Sequence, residues 1–174
     1  MNQLVKDLLN LSQIESGYFR LEKEVFNISS MIESVINRYR AIFEEDKIKL
    51  SLIKDEDAIA YGDMVRIEQI VINYINNALN HVDDKRVINV TIKQVEDKIC
   101  VEVFNSGKAI PEEVLDKIWQ SFYKVDKART RSYGGSGLGL SIVKGIQDLH
   151  RNKYGVENLE DGVNFWFHVD KASN

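Results

Sequence analysis

The sequence predicts an α+β fold: one mixed sheet with helices on one face. Three observations predict it. Helical and strand-like patterns are mixed along the 174 residues, and the strands fall into antiparallel pairs. Segments 87–94 and 98–104 alternate apolar and polar residues around Glu96-Asp97, as an antiparallel hairpin does. The chain ends on two further alternating segments, 153–158 and 163–169, around Glu160-Asp161-Gly162.

The elements follow in order. Residues 1–16 read as a helix, with Leu4, Leu8 and Leu11 on one face, Val5, Leu9 and Ile14 beside them, and Gly17 as the stop. That stripe suits either packing on its own domain or a helical partner. Residues 19–26 read as a linker. Asn27 or Ser29 caps a helix over 31–43, where Ile32, Val35, Ile36, Tyr39 and Ile42 keep helical period. Residues 48–53 and 58–61 read as strands. Gly62 breaks the second, and Asp63 caps a helix over 64–80. After the hairpin comes a long segment, 105–135, with the one proline, Pro111, and a short helical patch at 112–119. Residues 136–150 form a helix entered through glycines.

Composition narrows the function. With 44% hydrophobic and 29% charged residues the chain is globular. A net charge of −4 gives no general attraction to nucleic acid. The lone cysteine, Cys100, excludes an intrachain disulfide and fits a buried thiol in a strand. No apolar run is long enough to span a membrane and no signal peptide begins the chain, which predicts a cytoplasmic setting.

Four motifs carry chemistry. Asn73, Asn77, Asn80 and His81 share a helix face at spacings of four and three. Asparagine is a mediocre helix former, so four within 73–80 ask for a reason. Amide oxygens suit a hard cation and amide NH₂ groups suit phosphate oxygens; a solvated polar face is the plain alternative. Gly134-Gly135-Ser136-Gly137-Leu138-Gly139 runs into a helix, where glycines and the helix N-terminus favour an anion. It is neither a P-loop nor a Rossmann turn, and singly it also fits an ordinary flexible loop. Asn105-Ser106-Gly107 stands at a strand end, where a polar side chain can meet a base edge or merely turn the chain. Trp119, Phe122 and Tyr123, followed by Lys124, Lys127, Arg129 and Arg131, suit a flap with phosphate-seeking cations or a solvated basic loop.

Taken in chain order, the four motifs resemble the N, G1, F and G2 boxes of sensor histidine kinases, from about Leu4 to Val169. The resemblance implies a two-layer α/β sandwich of the Bergerat (GHKL) type with an ATP lid over about 106–135. Residues 1–18 look like the end of a second dimerisation helix, 19–26 a linker, 27–170 the catalytic domain and 171–174 a tail. It implies ATP and Mg²⁺ as ligands. Asn77 would give the metal an oxygen, with Asn73 close to the same cluster. Asn80 and Lys124 would contact phosphate, and His81 would lie against the nucleotide. Gly135, Ser136, Gly137, Leu138 and Gly139 would cradle the phosphates, while Gly107 and Ile110 would line the adenine pocket.

The lid wording is similar to Gram-positive transmembrane sensors that signal to winged-helix response regulators. The implied partners are a dimerisation and histidine phosphotransfer domain and a cognate response regulator. The implied place is the cytoplasmic side of a cell-membrane protein anchored through upstream segments. Two departures stand out. Asn105 and Ala109 replace the aspartate and second glycine of the G1 box; Asn105 can still accept from the adenine amino group, and its NH₂ can donate toward a ring nitrogen. His81, His150 and His168 all lack the neighbours of a phosphate acceptor. Rival readings are another ATPase or serine kinase of the same superfamily, and a degenerate nucleotide-sensing module.

Overall fold

A computed structural model describes residues 2–54, 56–125 and 135–173. The elements are α1 (Gln3–Glu15), β1 (Glu24–Asn27), α2 (Ile28–Glu45), β2 (Lys49–Lys54), β3 (Ile59–Gly62), α3 (Met64–His81), β4 (Val87–Val95), β5 (Lys98–Ser106), α4 (Gly139–His150), β6 (Tyr154–Leu159) and β7 (Gly162–Lys171). The sheet runs β1-β3-β7-β5-β4-β2, with β6 also paired to β7. Only β2 and β4 pair in parallel among these contacts, so the sheet is mixed, as expected. β5 borders β7 along nearly its whole length, so β6 and β3 share the opposite edge.

Alternation decides which face is covered. Ile88, Val90 and Ile92 on β4, Ile99, Val101 and Val103 on β5, and Val163, Phe165, Phe167 and Val169 on β7 are all buried. Tyr74 of α3 lies over this face, its ring 5.4 Å from Phe165 and 5.9 Å from Phe167. The other face carries Lys93, Glu102, Trp166 and His168. Cys100 lies there too yet is buried, and burial pushes its thiol up to about 11, as fits an inert thiol.

Caps explain several boundaries. Asn27 accepts from Ser30 N–H, so α2 starts at Ile28, earlier than the apolar period alone indicates. Asp63 caps α3 through Arg66 N–H with one carboxylate oxygen and takes Glu22 N–H on the other. Gly17, at φ 71, follows α1 as expected.

Four expectations need correction. The stretch read as a linker, 19–26, ends in β1, which pairs with β3; its Glu-Val-Phe-Asn is too short for alternation to announce a strand. Lys171, placed in the tail, still pairs with Ala60. The patch 112–119 is two separate 3-10 turns, Glu112–Val114 and Lys117–Trp119. The last helix begins at Gly139 rather than Ser136, because Gly137 takes φ 75.

The apolar stripe of α1 is only partly covered by its own domain. Leu11 and Ile14 are buried, with Ile14 packed on Gly145 of α4, while Leu4, Val5, Leu8 and Leu9 remain exposed. Arg66 of α3 reaches Asn10 and stacks over Phe19, 4.2 Å from its ring centre.

Candidate functional site

α3 and the entry to α4 meet through Asn73. A Cβ added at Gly139 would stand 3.3 Å from Asn73 Oδ1, so the glycine lets the two helices close on each other. Among the described residues, two amide atoms on this helix, Asn73 Nδ2 and Asn80 Oδ1, are buried with no hydrogen-bond partner. Such atoms cost free energy unless water or a ligand meets them. Asn77 lies between them in sequence on the same face and is half-buried. The fourth asparagine, Asn76, points elsewhere and accepts from Tyr39 Oη at 2.9 Å.

The start of α4 has the chemistry that suits an anion. Its N-cap residue, Leu138, offers no side-chain cap, so the first N–H groups of the helix are not spent on one. Ser136 Oγ accepts from Leu138 N–H and donates to Asp7 Oδ2 at 3.0 Å. The lid root comes to the same place: Phe122 N–H donates to Gly137 C=O at 2.8 Å, and a Cβ on Gly137 would lie 3.6 Å from Lys124 Cε. A lysine thus stands beside the Gly-rich turn. Trp119 anchors the root, edge-on to Tyr154 and Phe165. Gly134, Lys127, Arg129 and Arg131 lie outside the described residues, while Gly135 is exposed.

At the other end of α3, Gly107 takes φ 154 with its Cα against the helix terminus: a Cβ there would be 2.8 Å from His81 C=O. Asn105 is 2% exposed and faces the helices. Its Nδ2 donates to Ser106 C=O at 3.1 Å. That bond uses one of the two Nδ2 hydrogens, and the second hydrogen and Oδ1 lie outside it. Ile110 packs on the core, and its N–H and C=O both bond to Asn158 of β6.

The structure thus brings Asn73, Ser136, Gly137, Gly139 and Lys124 together where the middle of α3 meets the start of α4, and Asn105, Gly107 and His81 around the C-terminal end of α3. His81 is exposed there. His150 is buried, its Nδ1 on Ile146 C=O at 2.9 Å and its Nε2 accepting Asp63 N–H at 3.1 Å. His168 sits on the uncovered face beside Trp166. Sequence reasoning missed Asn158, which carries no local signal. It also missed Asp7, whose signal was readable: a buried charge interrupts the seam Leu4, Asp7, Leu11, Ile14.

Among the described residues no group of three acidic, histidine or cysteine side chains could hold a metal. The amide oxygens nevertheless fit a hard ion whose other ligands come from phosphates.

A helix-backed mixed sheet, an amide-rich helix and an uncapped glycine-entered helix beside a lysine define a domain for binding a nucleotide polyphosphate. A family model described as histidine kinase-, DNA gyrase B- and HSP90-like ATPase matches residues 62–173. The sensor protein kinase WalK of Staphylococcus epidermidis is 32% identical over 162 residues, 92% of this chain and 26% of that protein. The nucleotide-free catalytic domain of histidine kinase ThkA has a TM-score of 0.78 at 34% identity, covering 86% of this chain and 96% of that one. ThkA in complex with the response regulator TrrA has a TM-score of 0.77 at 30% identity, covering 97% of this chain and 48% of that one. The chain belongs to this ATPase family, as the ATP-binding catalytic domain of a sensor histidine kinase. It spans about a quarter of the length of the WalK relative it matches.

Proposed function

We propose that this domain holds Mg-ATP between α3, the start of α4 and the lid, and presents the γ-phosphate to a histidine on separate dimerisation helices. The observation that carries the reading is the convergence of Asn73, Gly139, Gly137 and Lys124. Phosphoryl transfer asks little covalent chemistry of the protein; positioning and charge stabilisation supply the rate. Asn77, with Asn73 nearby, would hold the Mg²⁺, which neutralises phosphate charge when bound. Lys124 contacts the terminal phosphates as a point charge, and the first amides of α4 donate to them. Asn80 and His81 complete the polar face beside the nucleotide. Asn105 Oδ1 accepts from the adenine amino group, and Gly107 and Ile110 form the wall beside it. Closure of the lid excludes water before transfer.

The acceptor imidazole lies outside this chain. His150 is bonded at both ring nitrogens, and no histidine here has the neighbours of an acceptor. The exposed leucines of α1 fit the end of a dimerisation helix, and a response regulator is the next phosphate carrier. The intact protein reaches the membrane through upstream segments; no described helix of this chain is long and apolar enough to cross one.

Adding the dimerisation helices of the intact protein to this domain, with γ-labelled ATP, tests the proposal. Label should appear on the helices and stay off this chain. Stable label on this chain alone, or none on the helices while ATP is bound, would refute it.

A further inference from the structure

One residue outside every motif bonds the segment that follows β5. Asn158 Oδ1 accepts the N–H of Ile110 at 2.9 Å, and Asn158 Nδ2 donates to the C=O of the same residue at 2.8 Å. A side-chain carboxamide here does what a neighbouring peptide group does in a ladder, exchanging both bonds with one residue. Only asparagine and glutamine carry a donor and an acceptor so arranged. Three residues earlier, Gly107 N–H donates to Asp161 C=O at 3.1 Å. The segment 107–110 is therefore fastened at both ends to the β6–β7 hairpin.

The register shows what this fastening serves. Ile88, Asn105, Val163 and Asn158 are successive partners across β4, β5, β7 and β6. Directly paired residues share a face of the sheet. Asn105 and Asn158 thus flank Val163 on the helix-covered side, two strands apart. On the proposed reading Asn105 meets the base, while Asn158 bonds the backbone of Ile110.

We infer that Asn158 is the positioning residue of the adenine wall, holding Ile110 at a set distance from Asn105. The inference rests on the reading of 105–110 as the base-contacting segment. Asn158 and Ile110 are only half-buried, so water can replace both bonds when the side chain is removed. The fold then loses little, while Ile110 loses its fixed place and nucleotide must order it on binding.

The test compares this chain with Asn158→Ala and Asn158→Asp, the latter keeping the acceptor and losing the donor. ATP affinity with Mg²⁺ is measured by calorimetry, amide exchange by mass spectrometry or NMR, and Tm by circular dichroism. Asn158→Ala is expected to weaken ATP about tenfold, the equivalent of two modest hydrogen bonds, and Asn158→Asp less. Exchange should quicken at Ile110 while the β6 and β7 amides and Tm hold. Unchanged ATP affinity in either folded variant would overturn the inference. So would an affinity loss accompanied by faster exchange throughout β6 and β7, which marks a structural role. Failure of the unaltered chain to bind ATP overturns the functional reading itself, and this inference with it.

Discussion

Ser136, in the turn that leads into α4, donates its hydroxyl to Asp7 of α1, a residue 129 positions earlier. Asp7 is 9% exposed and also accepts from Gln3 Nε2 at 2.8 Å. A carboxylate is thereby held against the place where phosphates are proposed to sit. Docking of α1 and binding of a polyanion should oppose each other, and the coupling must be reciprocal. Asp7→Asn keeps an acceptor for Ser136 and removes the charge. It is expected to tighten ATP by roughly two- to fivefold, more at low salt. Titrations at two ionic strengths check this, and an affinity that does not move would dismiss the charge argument.

α1 is seated on α4 at one point of very close approach. A Cβ on Gly145 would lie 2.6 Å from Ile14 Cγ2. Gly145→Ala is expected to push α1 off, at a cost of about 1–3 kcal/mol. Amide exchange across residues 3–15 should rise, and adding Ile14→Ala should reverse much of the rise by clearing the methyl group. No rescue by the second change would show that the contact is not the seat.

Gly162 lies under the adenine wall. A Cβ there would be 2.1 Å from Asn105 C=O and 2.8 Å from the Phe104 ring. Backbone cannot yield as a side-chain tip does, so Gly162→Ala should lose about 3 kcal/mol or more. Among the described residues nothing stands within 4 Å of a Cβ on Gly135, and Gly135→Ala should leave folding stability unchanged. Denaturant melts of the pair settle the contrast.

Acid should loosen the chain through His150. Its Nε2 accepts Asp63 N–H, and burial holds the ring below the usual 6.5. The unfolded chain therefore takes up the proton first as pH falls. Stability is whole above about pH 6.5 and is lost as pH falls through the lower folded value. His168 is shifted the same way, first by burial and then by Lys153 and other lysines. Tm should fall between about pH 7 and pH 5. His150→Gln should remove most of that step and His168→Gln a smaller part; a step surviving both changes would assign it elsewhere.

Most of the sheet and the helices were legible because their periods are strong and their caps local. Asp63 with Arg66, or Glu96 at φ 55 in the hairpin turn, needs only near neighbours. β1 escaped because its partner, β3, lies beyond α2 in the chain and four residues carry no period. The candidate site was legible where chemistry departs from propensity, as in the asparagines of α3. It was illegible where geometry alone assigns a role. Asn158 takes its place beside Ile110 from register with Val163 and from the return of the chain there. Asn105 showed its acceptor in sequence but not that Ser106 C=O would take one of its two amide hydrogens.

The central claim is that this chain binds Mg-ATP through α3 and the adenine-facing Asn105. Calorimetric titration of the chain with ATP and with GTP, both with Mg²⁺, and of its Asn77→Ala variant with ATP, tests it most directly. The account predicts one ATP per chain, much weaker GTP binding, and little or no ATP binding by the variant. No ATP binding, equal affinity for the two nucleotides, or full affinity in Asn77→Ala would contradict it.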